Sequence, residues 1–396
     1  MSVAVTKWDG PESVAKAMDA INGWESFKPG MKVLLKPNLV LAMEGLSPRG
    51  ILTSPEIVSS VIKIVKEKGA GSIVLADGAM SIPSMKLDTK AALKWGGLDV
   101  ICKKEGVQFV DLNKKPFRSF TLSDGTEIDV AEAVFDADFV INLPILKTHN
   151  QLKTTICIKN LKGALAMKSK KKCHVESHLV SAVAEINRFL PCDINIVDAL
   201  TATELGPAPS GRPDQVREMG LVLAGKDRLE CDIVGSYLLG YDAKDIQYMV
   251  EYAEMTGQSV EMSDVDIIGE NPADYRMELK YANEDFTMLT DMLGVKGFTR
   301  PEGGTAFCSP CAFVSFKAAL PFCLAHKGAT VDNAELIIGS EARATENTKY
   351  PILFGKCAIK THKNLENAII IKGCPPNPEK AAEILMNEVG MVTEKN

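Results

Sequence analysis

Nowhere does the chain read G-x-G-x-x-G, nor G-x-x-x-x-G-K followed by Ser or Thr, so neither a dinucleotide fingerprint nor a Walker loop is supported. An excess of basic residues is also missing. The net charge is -6 and the pI about 5.6, which argues against nucleic acid as a partner, because phosphate backbones need a basic surface. No apolar run reaches the roughly 18 residues needed to cross a bilayer. The opening MSVAVTKWDGPESVAKAMDAING lacks the charged start, apolar stretch and cleavage site of a leader. The expected location is therefore the cytoplasm, with no membrane partner. Internal repeats and low-complexity tracts are absent. The 10 cysteines are not expected to form a disulfide framework, since cytosolic thiols stay reduced. They are core filler, metal ligands or reactive thiols.

What is present is a long chain of ordinary globular composition. With 396 residues, 46% hydrophobic and 24% charged, it exceeds one core, and two domains are expected. MKVLLKPNLV (31–40) reads as a buried parallel strand. SPEIVSSVIKIVKEKGA follows as a helix with Ser54 as N-cap and Pro55 at its first position, and GSIVLADG (71–78) is the next strand. Strand, helix, strand implies a parallel sheet with helices on both faces and loops gathered at the strand carboxyl ends. Further strands are predicted at 137–146, 192–200, 219–225 and within 258–276. Beyond them, AELIIGSE, PILFGKCA and AIIIKGCP are short strands, with a helix over CAFVSFKAALPFCLAHKG. The expected fold is α/β: a larger domain over 1–265 and a smaller α/β domain over 285–396 that carries a metal cluster.

Cysteine is concentrated at the junctions of that second domain. Cys308 and Cys311 form a C-x-x-C at a helix start, Cys357 ends the expected strand PILFGKC and Cys374 the expected strand AIIIKGC. Such junctions share one edge of a parallel sheet, and helix N-termini favour anionic sulfur. Four thiolates suit an iron-sulfur cluster; a zinc site, a redox pair and plain packing are the alternatives. Cys323 is a reserve ligand. Cys102, Cys192 and Cys231 read as packing.

The first domain offers a basic constellation. LLKPN supplies Lys36 and Asn38, ILKTHNQLKTT supplies Lys147 and His149, CIKNLKGA supplies Lys159, Asn160 and Lys162, and KSKKKCHVESH supplies His174 and His178. Polar residues directly after buried strands are costly unless they serve a ligand or a network. Lysines there would hold carboxylates or phosphates, and one crowded by like charges could act as base or nucleophile. Lys168, Lys170, Lys171 and Lys172 are expected in a solvated loop. His174 and His178, four apart, would share a face if their segment were helical, but the Glu of a zinc-hydrolase motif is missing. Asp198, Glu204 and Asp232 are expected near the same edge, with cap or turn roles as the plain alternative.

Two resemblances attach to these residues. GCPPNPEKAAEIL is similar to the Gly-Cys-Pro-Pro turn of the cluster-bearing small subunit of respiratory NADH dehydrogenase and its hydrogenase relatives, which implies a [4Fe-4S] ligand at Cys374. KVLLKPNLV, ADFVINLPILKTH, TICIKNLKGAL, NIVDALTATELGPAPSGRP and LVLAGKDRLECDIVGSYLLGYD, in order over residues 30–250, resemble the family catalogued as domain of unknown function 362. Its members often carry ferredoxin-type modules with several C-x-x-C repeats. This chain has one C-x-x-C and two single cysteines, so a single cluster is implied.

The combined expectation is an iron-sulfur reductase of anaerobic metabolism. A [4Fe-4S] cluster on Cys308, Cys311, Cys357 and Cys374 would serve a small anionic substrate, a carboxylate or phosphate. Lys147, His149 and Lys162 are the catalytic candidates, and Lys36, Asn38, Asn160, His174 and Glu204 would bind the substrate. A cluster-dependent hydratase or other lyase and a non-catalytic electron or cluster carrier are the alternatives. An electron-donor protein and a second copy of the chain are the protein partners this allows.

Overall fold

Apolar runs without alternation are buried on both faces, and they form the strands of the first of two compact units, Met1–Ala282 and Asn283–Asn396. The computed structural model describes residues 2–43, 45–175, 178–207, 213–281, 288–301, 307, 309–340 and 342–391. In the first unit the strands are β1 (Ser2–Lys7), β2 (Lys32–Pro37), β3 (Ser72–Asp77), β4 (Gln108–Asp111), β5 (Phe117–Thr121) and β6 (Glu127–Ala131). They continue as β7 (Phe139–Leu143), β8 (Ile145–His149), β9 (Lys153–Thr155), β10 (Ile194–Thr203), β11 (Val216–Gly225) and β12 (Asp266–Gly269). The main sheet runs β12-β1-β11-β10-β7-β2-β3-β4, with β8 joined to β10 and β9 joined to β8. Its β10-β7-β2-β3-β4 portion is parallel throughout, while β11 is antiparallel to both of its neighbours. The architecture is α/β with a mostly parallel sheet.

Helix starts follow local chemistry. Ser54 accepts a hydrogen bond from the Ile57 amide at 3.4 Å, and Pro55 opens the helix Pro55–Glu67, where its missing N–H costs nothing. That helix buries Ile57, Val58, Val61, Ile62 and Val65. The segment 137–146, expected as one strand, is two. Pro144 has no amide to give the ladder, so β7 ends at Leu143 and β8 restarts at Ile145, pairing with β10 instead of β2. This break carries Lys147 and His149 beyond the end of β2.

The second unit holds β13 (Lys296–Thr299), β14 (Thr330–Ile338), β15 (Tyr350–Phe354) and β16 (Ile369–Ile371), ordered β13-β14-β15-β16 and parallel. Ile337, Ala342, Leu353 and Ala358 pack beneath it. The helices are Met288–Leu293, Ser309–Ala325, Gly355–Thr361 and Pro378–Glu388, the last capped by the Asn377 side chain on the Lys380 amide. Among the described residues no helix is long and apolar enough to cross a membrane.

Candidate anion site and cysteine turns

The carboxyl ends of β2, β3 and β8, with the short helix Cys157–Asn160, supply the basic site. Lys36 is 1% exposed. Its ammonium lies 2.7 Å from Asp77 Oδ1 and donates to the Pro37 carbonyl at 3.2 Å. Asp77 Oδ2 accepts the Leu39 amide at 2.8 Å. A buried ion pair persists only when its remaining valences are filled in this way. Lys36, expected to bind substrate, thus spends its charge on Asp77. The close approach needs glycine: a Cβ on Gly163 would stand 2.4 Å from Asp77 Oδ1 and 2.5 Å from Lys36 Nζ.

Lys147 is equally buried, and its ammonium donates to Asn38 Oδ1 at 2.8 Å and to the Ile51 carbonyl at 2.6 Å. Both acceptors are neutral. Burial pulls its pKa down to about 7, with the Asp77 charge working the other way. A relay of amides orients it. Asn38 donates to Asn160 Oδ1 at 3.0 Å, Asn160 to Asn142 Oδ1 at 2.8 Å, and Asn142 to Asn195 Oδ1 at 2.9 Å.

His149 accepts the Gln151 and Leu152 amides on Nδ1, at 3.1 and 3.3 Å, which places its single proton on Nε2. Burial, then the charges of Lys159, His174, Lys147 and Lys162, hold it neutral. Lys162 Nζ lies 2.9 Å from His174 Nε2. With Nε2 accepting, His174 carries its proton on Nδ1, which is buried without a hydrogen-bond partner among the described residues. Lys159, on the helix Cys157–Asn160, is pushed well below the ordinary lysine range by burial and by Lys162 and Lys147.

The Lys-rich run is not a solvated loop. It lies in the helix Met167–Val175, and a rotation of roughly 100° per residue leaves Lys168 exposed while Lys170 turns inward. Lys170 donates to the Gly78 carbonyl at 2.6 Å and Asn113 Oδ1 at 2.8 Å. Its pKa falls to about 7 through burial, against the opposing charge of Asp77. His178 is the N-cap residue of the next helix, Leu179–Ile186, so His174 and His178 do not share one helical face.

The acids have structural duties. Asp198 accepts the Ser54 amide at 2.7 Å and the Leu200 amide at 3.2 Å, beside a cavity of about 340 Å³ that Trp8, Arg49 and Leu52 also line. Glu204 pairs with Arg217 at 3.2 Å and accepts the Lys280 amide at 3.0 Å. Asp232 accepts the Cys157 amide at 2.6 Å and the Ile158 amide at 3.2 Å, capping the short site helix. The opposite charge nearest the cations, Asp77, escaped sequence reasoning, although an acid directly after the buried strand SIVLA carries the same signal as Lys36.

In the second unit Cys308 lies outside the described residues. Cys357 falls within the helix Gly355–Thr361 and not at a strand end, because β15 stops at Phe354 and Gly355 turns the chain with φ +87°. Cys311 is buried, Cys357 half-buried and Cys374 exposed. Cys311 Sγ stands 3.5 Å from where a Gly355 Cβ would sit, with the Gly373 carbonyl at 3.7 Å. The Lys356 amide donates to that carbonyl at 2.9 Å. Gly355 thus lies beside both the Cys311 thiol and the Gly373 carbonyl. Among the described residues, however, no three His, Cys, Asp or Glu side chains stand close enough to hold a metal ion, so these thiols alone do not complete a site.

An α/β chain with a buried cationic centre at the carboxyl ends of its parallel strands is the class that fold and site define. The chain belongs to the family described as Domain of unknown function (DUF362), whose model matches residues 33–237, a span that contains every lysine and histidine of the centre. It is 32% identical over 248 residues to a thylakoid-associated protein of Synechocystis sp., covering 60% of this chain and 72% of that one. Among solved structures, the lactate racemase apoprotein from Thermoanaerobacterium thermosaccharolyticum aligns with a TM-score of 0.37 at 13% identity, over 59% of this chain and 56% of that one. A Thermotoga maritima protein aligns with a TM-score of 0.34 at 11% identity, over 94% and 89%.

Proposed function

We propose that the first unit binds and transforms a small anion, a carboxylate or phosphate, and that the whole chain is an iron-sulfur oxidoreductase. The observation that carries the first part is the imbalance of buried charge. Lys147, Lys159, Lys162 and Lys170 converge with His149 and His174, and the carboxylates that act on them are Asp77, already paired with Lys36, and Asp111 beside Lys170. Amines that burial strips of protons regain them when an anion enters, so the site gains most from a negatively charged ligand.

Within that site Lys147 is the acid-base group, since burial lowers its pKa to about 7 and so lets it exchange a proton near neutral pH. His149, a catalytic candidate from the sequence, serves as a fixed neutral donor. Its Nδ1 is taken by backbone amides, so its Nε2–H can stabilise negative charge on a substrate oxygen. Asn38 and Asn160 aim Lys147, and Lys162 with His174 holds the anion. Cys308, Cys311, Cys357 and Cys374 would hold the [4Fe-4S] cluster, which supplies single electrons when bound. The closeness of Gly355 to both the Cys311 thiol and the Gly373 carbonyl supports this part.

Titration calorimetry with inorganic phosphate tests the anion reading: Lys147→Met should weaken binding at least about tenfold, or about 1.4 kcal/mol. Wild-type protein that ignores phosphate and small dicarboxylates at millimolar concentration overturns it. Metal and sulfide analysis of protein purified without air tests the cluster. About four irons and four sulfides per chain are expected, and zinc in their place removes the redox assignment.

A further inference from the structure

The loop over residues 48–54 stands between two chemistries. Its Ile51 carbonyl accepts the Lys147 ammonium, whereas Pro48, Leu52 and Thr53 line the cavity of about 340 Å³. The loop is pinned. Thr203 Oγ1 donates to the Gly50 carbonyl at 2.6 Å, and Thr53 Oγ1 to the Leu143 carbonyl at 2.7 Å. A cavity with such a wall is preformed, and its volume falls in the range of roughly 300–1,000 Å³ usual for small-molecule sites. Leu52, Ile145 and Leu200 make it largely apolar, and one cation and three carboxylates also line it. Arg49, the cation, gives two guanidinium nitrogens to the two Glu218 oxygens. Asp198 and Glu56 remain, and among the described residues neither has a cationic partner.

We propose that this cavity, separate from the lysine centre, binds a primary ammonium carried on a hydrocarbon body, with Asp198 as its counter-ion. Asp198 is 1% exposed, and its oxygens accept the Ser54 amide at 2.7 Å and the Leu200 amide at 3.2 Å. The amino end of the helix Pro55–Glu67 offsets part of its charge, but a buried carboxylate gains far more from a cation. Each carboxylate oxygen can accept twice, so a lone pair stays open on each. An ammonium needs one such lone pair, whereas the guanidinium fork needs a free carboxylate edge that the two amides already occupy. A metal ion fits less well, since among the described residues no three His, Cys, Asp or Glu side chains stand close enough to hold one. Trp8 on the same wall is the side chain whose ring best attracts ammonium groups, and the aliphatic walls receive the hydrocarbon body.

The test is calorimetry on the full chain with 2-phenylethylammonium, set against 2-phenylethanol, which keeps the body and loses the charge. The ammonium should bind saturably and at least about tenfold more tightly than the alcohol. Asp198→Asn should remove that preference, and Leu200→Phe, which adds bulk to the wall, should weaken the ammonium at least about fivefold. If Asp198→Asn unfolds, the two ligands on wild-type protein and the Leu200→Phe variant still decide. Alcohol binding as tight as the ammonium overturns the counter-ion role. Ammonium binding that is absent at about 10 mM, or unchanged in folded Leu200→Phe, overturns the site.

Discussion

Gly163 shows how closely single atoms are set at this centre. The smallest side chain would place a carbon 2.4 Å from one member of the Lys36–Asp77 pair and 2.5 Å from the other. Backbone must move or the pair must part, and parting a buried pair leaves an uncompensated charge. Gly163→Ala is expected to cost about 3 kcal/mol in urea unfolding, whereas Gly125→Ala, where a Cβ meets open space, should cost less through its φ of +82° alone. The amines also set a pH dependence. Lys147 and Lys170 ionise near 7 in the protein and near 10.4 unfolded. Their contribution to stability is present above the unfolded value and lost as pH falls through about 7. A bound anion raises both values, so binding takes up protons. Phosphate affinity should therefore strengthen as pH drops from about 9 toward 7 and level off below. Calorimetry across that range checks the sign, and affinity that rises with pH contradicts it. In the sequence, Lys36, Lys147 and His149 were legible because each is a polar residue toward the carboxyl end of a buried apolar run. Lys170 was not, since a run of lysines hides which one turns inward.

The short helix Cys157–Asn160 carries Lys159 and Asn160, and a helix of that length cannot stand by its own hydrogen bonds. It is held from below. Asp232 takes the Cys157 and Ile158 amides and meets the Tyr248 hydroxyl at 3.3 Å. Burial raises the Asp232 pKa to about 7 against those hydrogen bonds. The linkage sign is opposite to that of the lysines: the contribution is fully present below the unfolded value near 3.9 and is lost as pH rises through about 7. Asp232→Asn removes the charge but leaves one amide without an acceptor, at about 1–3 kcal/mol. Its cost relative to wild type should shrink between pH 6 and 8, as followed by thermal unfolding at each pH. A difference that stays constant over this range would remove Asp232 from the titrating groups. The helix itself escapes sequence reading, because CIKN is too short for a 3.6-residue period to register. What announces it is an acid far away in the chain. The long helix Pro55–Glu67 was legible for the converse reason, having a Ser-Pro start and repeated apolar positions.

At the scale of the whole molecule, the two units have separate sheets, and the two proposed chemistries fall in different ones. The longer apolar strands, β2, β3, β10 and β11 in the first unit and β14, β15 and β16 in the second, could be read in order, since parallel sheets need uninterrupted apolar runs, whereas β1, β4, β5, β6, β9 and β13 were not read. The antiparallel pairing of β1, β10 and β11 could not, because register with distant partners leaves little mark in a single strand. The separation makes a prediction that neither unit could make alone. Cys311 lies beside Gly355, so Cys311→Ser alters little volume there but gives a cluster a poorer ligand. Its iron content after anaerobic purification should fall to less than about half of wild type if four thiolates are required. Phosphate binding by the lysines of the first unit should stay within about twofold, because those lysines and Cys311 belong to different compact units with their own sheets. Iron content unchanged in both Cys311→Ser and Cys374→Ser would mean that these sulfurs are not ligands. A parallel loss of phosphate affinity would mean instead that the centres are energetically coupled, which sequence periodicity has no means to encode.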